Sequence, residues 1–512
     1  MRKELLPKYI IIGLLLLHLI PIWAFKFIPT QDGINHVYNA YILKEFNNPN
    51  YTQYRQVYDL NIKPFPNWTS HIFFYLALYV APPLVAEKLF VSICVLLVPL
   101  SFFYFMSSVD KRLWFFGFLG FLYSYNLLLH LGFYNFSLSV PLYFFLLGYW
   151  WKYRNQLNWK HGLIINLLLM LIYFSHLFSF ALSLLSISLL TLTSALLSYN
   201  EPKPFKERLW AFLRSAISLV PSCIAFLLCI LINPEEKITS YKPLKELWEF
   251  FYSVKSLVYF NDRYRVISWV LIGFISLCIL LTLFVKFWTI FKKEKAGNHI
   301  IYRIFLDQRF GFLILSAVIT VLFFKIPWAY GPPAWLNDRM NLFIFPVLLA
   351  WFAFSFPKWL KVGLVAVMIV MSLAHLGLTT YDYNLLNKDL KEFTAGVGLI
   401  KDNSVISIIP STDFFYAPNH GTIKYLSPFT HDICYYCFGN GSHYAGNYEP
   451  KYAYFPLQYK PGYWKFEYQG IIDYMIVWHT DDSNPEVAQV IKDYDLIFST
   501  ENMRLFKHKS VK

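Results

Sequence analysis

LVAEKLFVSICVLLVPLSFFYFM, residues 84–106, decides the fold class. After Glu87-Lys88 it holds no charge through Met106, long enough to cross the hydrocarbon of a bilayer as one helix. Similar runs occur at 9–25, 113–129, 136–151, 162–176, 179–197, 215–232, 266–288, 310–324, 341–356 and 361–379. Together they predict an α-helical polytopic membrane protein of about 11 transmembrane helices. The N-terminal MRKELLPK has the charge of a signal sequence but no small-residue cleavage site follows, so 9–25 reads as a retained span. Trp68–Val80, ending before Pro82-Pro83, reads as an interfacial or re-entrant helix.

Composition agrees. Of 512 residues, 57% are hydrophobic, 15% charged and 20% aromatic, with 50 Phe, 38 Tyr and 16 Trp. A water-soluble chain could not hide that much apolar surface, and a disordered one would not carry it. Soluble enzymes, disulfide scaffolds and nucleic-acid binders are therefore excluded. Six Cys are too few for a disulfide framework. The net charge of +14 comes mostly from Lys and Arg in the breaks between apolar runs. With the N-terminus inside, the inner breaks hold 18 Lys and Arg and the longer outer ones 12, the sense of the positive-inside rule. The basic segment 233–265 is the outer segment that fits least. An odd number of spans leaves the C-terminus outside.

From Tyr381 the long apolar runs stop. NKDLKEFTAGVGLIKDN (387–403) predicts a helix with a polar face. SVISIIP, YMIVWH and DLIFST predict short strands. The expected organisation is a transmembrane domain over 1–380, with a large first outer loop at 26–83, and a small extracytoplasmic α/β domain over 381–512. No internal repeat is visible.

The stretch richest in chemistry is IPTQDGINHVYNAYIL, 28–43, just past the first span. Asp32-Gly33 is turn-like, and His36, Asn39 and Tyr41 follow on a helix start. A carboxylate at the membrane surface can take a proton from a hydroxyl as general base; the plainer alternative is a helix cap. Arg339 stands where a late span begins. Such an arginine is costly unless paired or functional, and its planar fork suits a phosphate. The plainer alternatives are snorkelling or a pair with Asp338. His130, Tyr134 and Asn135 lie in one very short outer turn and His176 in another, on the same side as Asp32. They could bind sugar hydroxyls at a cavity mouth or serve structure alone. Glu87-Lys88 reads as an internal ion pair.

No metal site is expected. The first loop has Asp32 without an adjacent acid, the 130–135 turn has none, and no H-x-x-x-H pair shares a helix face. His420, His431, Asp432 and His443 are only loosely clustered. Cys434-Tyr-Tyr-Cys437 could close a disulfide outside the membrane. Residues 414–468 contain 18 aromatics, which could stack on sugars or form a core. The sequon Asn67-Trp68-Thr69 matters only in a eukaryotic secretory pathway.

With Asp32 in a long first loop, PFPNWTSHIFFYLALYVAPPLVAEKLF (64–90) leading through a loop helix into the second span, and a polar C-terminal region, the chain resembles the GT-C superfamily of integral membrane glycosyltransferases. The resemblance is topological and spans the whole chain. It implies transfer of a sugar from a polyprenyl-phosphate carrier to a glycan, lipid or protein hydroxyl on the outer face of a bacterial cytoplasmic membrane, with inversion. Asp32 would be the base. Arg339, with Lys325 second, would hold the donor phosphate, while His36, His130, Asn135 and His176 would bind substrate. No cofactor is implied, since the carboxylates with which some relatives hold a divalent cation are missing. Two rival readings are an envelope polysaccharide polymerase or ligase using a diphosphate-linked glycan, with Arg263 and Arg265 as its basic residues, and a non-enzymatic lipid or solute transporter.

Overall fold

The computed structural model describes residues 2–196, 205–232, 239–291, 307–330, 334–352, 356–409, 413, 415–464, 470–480 and 485–511. Most of the inner break 289–309, part of the 325–340 loop and the start of the basic 233–265 segment lie outside them.

All eleven apolar runs fall on helices. Backbone amides and carbonyls in lipid must find partners inside their own segment, and a helix provides them. Among the described residues, seven helical stretches are long and apolar enough to cross a membrane: Pro7–Ala24, Pro83–Val109, Lys111–His130, Leu177–Leu196, Leu209–Leu228, Arg263–Thr289 and Lys358–Leu399. The remaining four runs form Tyr134–Tyr153, Trp159–Ser175, Phe310–Lys325 and Leu336–Leu349. Trp159–Ser175 and Phe310–Lys325 are apolar but shorter. Eleven helical stretches thus correspond to the eleven apolar runs, and seven of them are both long and apolar enough to cross a membrane.

Lys111–His130 is interrupted. It opens as a 3-10 segment, Lys111–Phe118, and breaks before Leu127. Asn126 then caps the last turn by accepting the Leu129 amide at 3.1 Å. This break sets up the turn that carries His130.

Helix Lys358–Phe393 corrects one expectation. The polar helix expected at 387–403 is instead the end of a 36-residue helix continuous with the last apolar run. No proline interrupts 358–393. At 1.5 Å per residue it reaches about 54 Å, well beyond the roughly 30 Å of hydrocarbon. Residue 380, where the expected transmembrane domain ends, lies within this helix.

Beyond it lies a mixed five-stranded sheet ordered Tyr494–Ser499, Met503–His508, Tyr474–Trp478, Val405–Ile409, His443–Tyr444. The strands expected from SVISIIP, YMIVWH and DLIFST are all present. Val405–Ile409 runs parallel to both of its neighbours. The first loop joins this region directly: Tyr58–Leu60 pairs antiparallel with Leu457–Tyr459, in register Tyr58 to Tyr459. Loop helix Gly33–Glu45 lies against Asp432–Cys437, with the Tyr38 hydroxyl donating to the Ser442 carbonyl at 2.8 Å. Several aromatics of 414–468 are core: Tyr435 packs on Phe27 at 5.0 Å and Phe429 on Trp478 at 4.9 Å. Cys434 and Cys437 are buried free thiols rather than a disulfide.

Candidate active site where the first loop meets the 131–134 turn

Asp32 precedes helix Gly33–Glu45 but its side chain caps nothing, which removes the plain alternative. The segment before it is fixed by backbone hydrogen bonds. The Gln31 amide donates to the His130 carbonyl at 2.9 Å and the Asp32 amide to the Leu131 carbonyl at 3.2 Å. Such close approach requires glycine at 132. Its φ is +80°, and a Cβ there would come within 2.7 Å of the Asp32 amide nitrogen and closer still to that of Gly33.

The Asp32 carboxylate receives Gln31 Nε2 at 3.2 Å and lies 3.6 Å from His431 Nε2. Gln31 Oε1 accepts the Ser427 amide at 3.0 Å, so one side chain ties the carboxylate to the C-terminal region. Asp32 is 7% exposed. Burial pushes its carboxyl up to about 7, against the partial opposition of the His36 charge and the Gln31 hydrogen bond. A carboxyl so placed exchanges a proton near neutral pH.

Arg339 is buried near the start of helix Leu336–Leu349. Its guanidinium lies over the rings of Phe133 (5.1 Å) and Phe136 (5.3 Å). Nε and Nη1 have no hydrogen-bond partner among the described residues. Asp338 turns away to Lys255 at 3.2 Å, so the expected alternative of an Arg339–Asp338 pair is not the one adopted. A buried, under-partnered guanidinium on two aromatic faces is equipped to receive an anion.

The other expected residues are placed as follows. His130 is wholly internal: Nδ1 donates to the Asn126 carbonyl at 2.8 Å, Nε2 accepts the Tyr383 hydroxyl at 3.2 Å, and its ring stacks on Tyr259 at 4.0 Å. Asn135 accepts the Ser70 amide at 2.8 Å and donates to the Asn67 carbonyl at 2.9 Å, fixing the start of helix Thr69–Ala77. His176 Nδ1 accepts the Phe178 amide at 3.2 Å, and its ring meets Phe136, the ring under Arg339, at 5.2 Å. Lys325 ends its helix with an exposed side chain. Glu87 is not paired with Lys88: it accepts the Tyr134 hydroxyl at 2.6 Å, while Lys88 donates to the Phe25 carbonyl at 2.5 Å. Arg263 meets Asp382 at 3.0 Å, and Arg265 meets Glu249 at 2.8 Å and Asp262 at 2.7 Å. The rival reading's arginines are thus committed to local ion pairs.

His36 is engaged by a partner the sequence did not suggest. Glu449, fully buried, receives His71 Nε2 at 2.8 Å on one oxygen and has His36 Nδ1 at 2.5 Å from the other. Burial works to raise the Glu449 carboxyl, but the two histidines outweigh it and hold it down to about 2. His71 sits on the loop helix of the 64–90 stretch and Glu449 in the aromatic-rich 414–468 segment. Neither stands out alone, because tertiary packing brings together residues far apart in the chain.

Among solved structures, the chain is similar to the arabinofuranosyltransferase AftD from Mycobacteria, with 10% identity and a TM-score of 0.47. The match covers 98% of this chain and 40% of that one. At that identity and score the likeness assigns neither an activity nor a site. No family model and no curated protein matches the sequence.

Proposed function

We propose that the protein is a membrane glycosyltransferase moving a sugar from a polyprenyl-phosphate carrier to an acceptor hydroxyl at the outer face of a bacterial cytoplasmic membrane. The N-terminus lies inside and residues 381–512 outside. One observation carries this reading: the Leu131–Tyr134 turn holds the Asp32 amide on one side and places the Phe133 ring beneath Arg339 on the other. A base and an anion receiver are thus held by a single four-residue turn at the end of the apolar helices.

In this mechanism Asp32 takes the proton of the acceptor hydroxyl. The oxygen attacks the anomeric carbon from the face opposite the phosphate, forming the new bond as the carbon–phosphate oxygen bond breaks, with inversion. The polyprenyl phosphate leaves with the added negative charge beside Arg339, and exposed Lys325 is the second cation available to it. Stabilising charge where it develops is a large part of such catalysis. His176, next to Arg339's aromatic floor, is assigned to the sugar. His130 and Asn135 act by holding the turn and the loop helix. A lipid carrier suits the location, because a nucleotide sugar does not cross to the outer face unaided. The acceptor is a glycan, lipid or protein.

The test is transfer by purified protein in lipid vesicles, offered radiolabelled polyprenyl-phosphate sugars and membrane acceptors, with Asp32→Asn beside the wild type. Transfer lost in the variant with donor binding kept supports the reading. Transfer unaffected by the variant sinks Asp32 as base. Donor movement between vesicles without transfer points to a transporter.

A further inference from the structure

His36, His71 and Glu449 offer ligand atoms that all lie within 4.8 Å of one another, and all three residues are buried. They come from three elements: loop helix Gly33–Glu45, loop helix Thr69–Ala77 and the short turn Glu449–Lys451. The two imidazole planes are nearly perpendicular, at 89°, with centroids 5.5 Å apart, so each ring presents a nitrogen edge to the same carboxylate.

The hydrogen-bond pattern assigns the outer nitrogen of His71. His71 Nδ1 faces the Asn67 carbonyl at 3.0 Å. A carbonyl only accepts, so Nδ1 bears a hydrogen, which leaves Nε2 as the nitrogen that faces Glu449 Oε2 at 2.8 Å. What joins this nitrogen to the carboxylate is a proton on Nε2 or a metal cation between the two atoms. At Glu449 Oε1, His36 Nδ1 is close, yet neither atom makes an aligned hydrogen bond among the described residues. An outer ring N–H donated to a backbone carbonyl, with the other nitrogen left as a lone pair, is how metal-bound histidines are usually oriented. The carbonyl concerned is itself held in place: Asn67 adopts a φ of +73°, and Asn135 donates to the same oxygen. A non-glycine residue in that conformation marks backbone that its surroundings must stabilise.

We infer that His36, His71 and Glu449 form a site for one divalent transition-metal ion, best suited to zinc, that clips the first loop to the C-terminal region. Two imidazole nitrogens and one carboxylate oxygen are a zinc donor set that leaves a fourth position for water or another oxygen ligand. Zinc bonds of about 2.0–2.1 Å would set the separations between ligand atoms near about 3.3 Å, inside the 4.8 Å within which the three ligand atoms lie. The inference does not depend on the proposed sugar transfer, since it is read by metal binding and stability.

The test uses the full chain purified in detergent without a polyhistidine tag. It is stripped with chelator, dialysed against zinc, and assayed for metal content and thermal stability. The expected result is one zinc per chain, a Tm that falls on chelation and recovers with zinc, and tetrahedral absorption bands when cobalt(II) is substituted. His71→Ala and Glu449→Gln should lose the zinc and the chelator response. His161→Ala, outside the cluster, should keep both. Because these variants could misfold, the wild type is decisive by itself. Wild-type protein that takes up no stoichiometric zinc, with a Tm indifferent to chelator, overturns the proposal and leaves a histidine–carboxylate ion pair. Zinc retained by both ligand variants overturns it equally.

Discussion

The Tyr134 hydroxyl donates to Glu87 Oε1 at 2.6 Å and lies 3.4 Å from Thr30 Oγ1. One phenol thus joins a carboxylate within a long apolar helix to the segment that leads into Asp32. Tyr134→Phe would strip that carboxylate of its recorded partner while keeping the ring's packing. A buried polar group left unsatisfied costs about 1–3 kcal/mol. A lower Tm for the purified variant, by several degrees, is the expected reading.

Gly132→Ala tests whether the 131–134 turn positions Asp32, the proposed base. The substitution puts a side chain at positive φ and drives its Cβ into the Asp32–Gly33 backbone. The loss should exceed about 1 kcal/mol in stability. Sugar transfer should drop on the order of 100-fold, since a displacement near 1 Å is enough for that.

Arg339→Lys keeps the charge but not the planar fork on Phe133 and Phe136. We expect transfer to fall about 10²–10³-fold, comparable to removing one charge-stabilising donor. Lys325→Ala should cause a smaller loss, read mainly in donor KM. Arg263→Ala and Arg265→Ala should leave transfer near wild type because both residues serve local ion pairs. A large loss in these two instead would favour the diphosphate-linked polymerase reading. The assay is initial rate in vesicles at fixed donor concentration.

His443 gives a pH prediction outside the membrane spans. It is buried beside Tyr58, whose hydroxyl lies 2.8 Å from Nδ1, and burial lowers its pKa from 6.5 to about 3. The folded chain keeps it neutral while the unfolded chain takes up a proton near 6.5. Stability from this group is therefore complete above pH 6.5 and is lost as pH falls from there toward 3, at up to about 1.4 kcal/mol per pH unit. In a pH series of thermal unfolding, His443→Gln should show a shallower acid slope than the wild type.

The sequence revealed the features that depend on local pattern. Charge-free runs such as Leu89–Met106 became helices because lipid leaves the backbone no other partner. Asp32 and Arg339 could be singled out because a charge beside an apolar run needs a reason. The Glu449 contacts were not legible: His36, His71 and Glu449 follow no common periodicity, and their segments meet through tertiary contacts such as the pairing of Tyr58–Leu60 with Leu457–Tyr459 and the Tyr38–Ser442 hydrogen bond. The absence of a helix-face histidine pair spoke only to sites within one element. The polar helix expected at 387–403 was misplaced for the opposite reason: it is the end of a helix that starts at Lys358 and stops at Phe393. The change from apolar to polar composition near Tyr381 did not end the helix, whose backbone continues through it without a breaker.

The strand pair Tyr58–Leu60 with Leu457–Tyr459 also imposes a timetable on biosynthesis. At about 5–20 residues per second, the ribosome delivers Tyr459 roughly 20–80 s after Tyr58. Throughout that interval the first loop lacks the strand Leu457–Tyr459 and the Glu449 carboxylate that later pack against it. Its buried tyrosines, Tyr38, Tyr54 and Tyr58, are bare until the chain is nearly finished. A nascent chain stopped before residue 449 would thus carry its helices and Asp32 but keep an open, protease-sensitive loop.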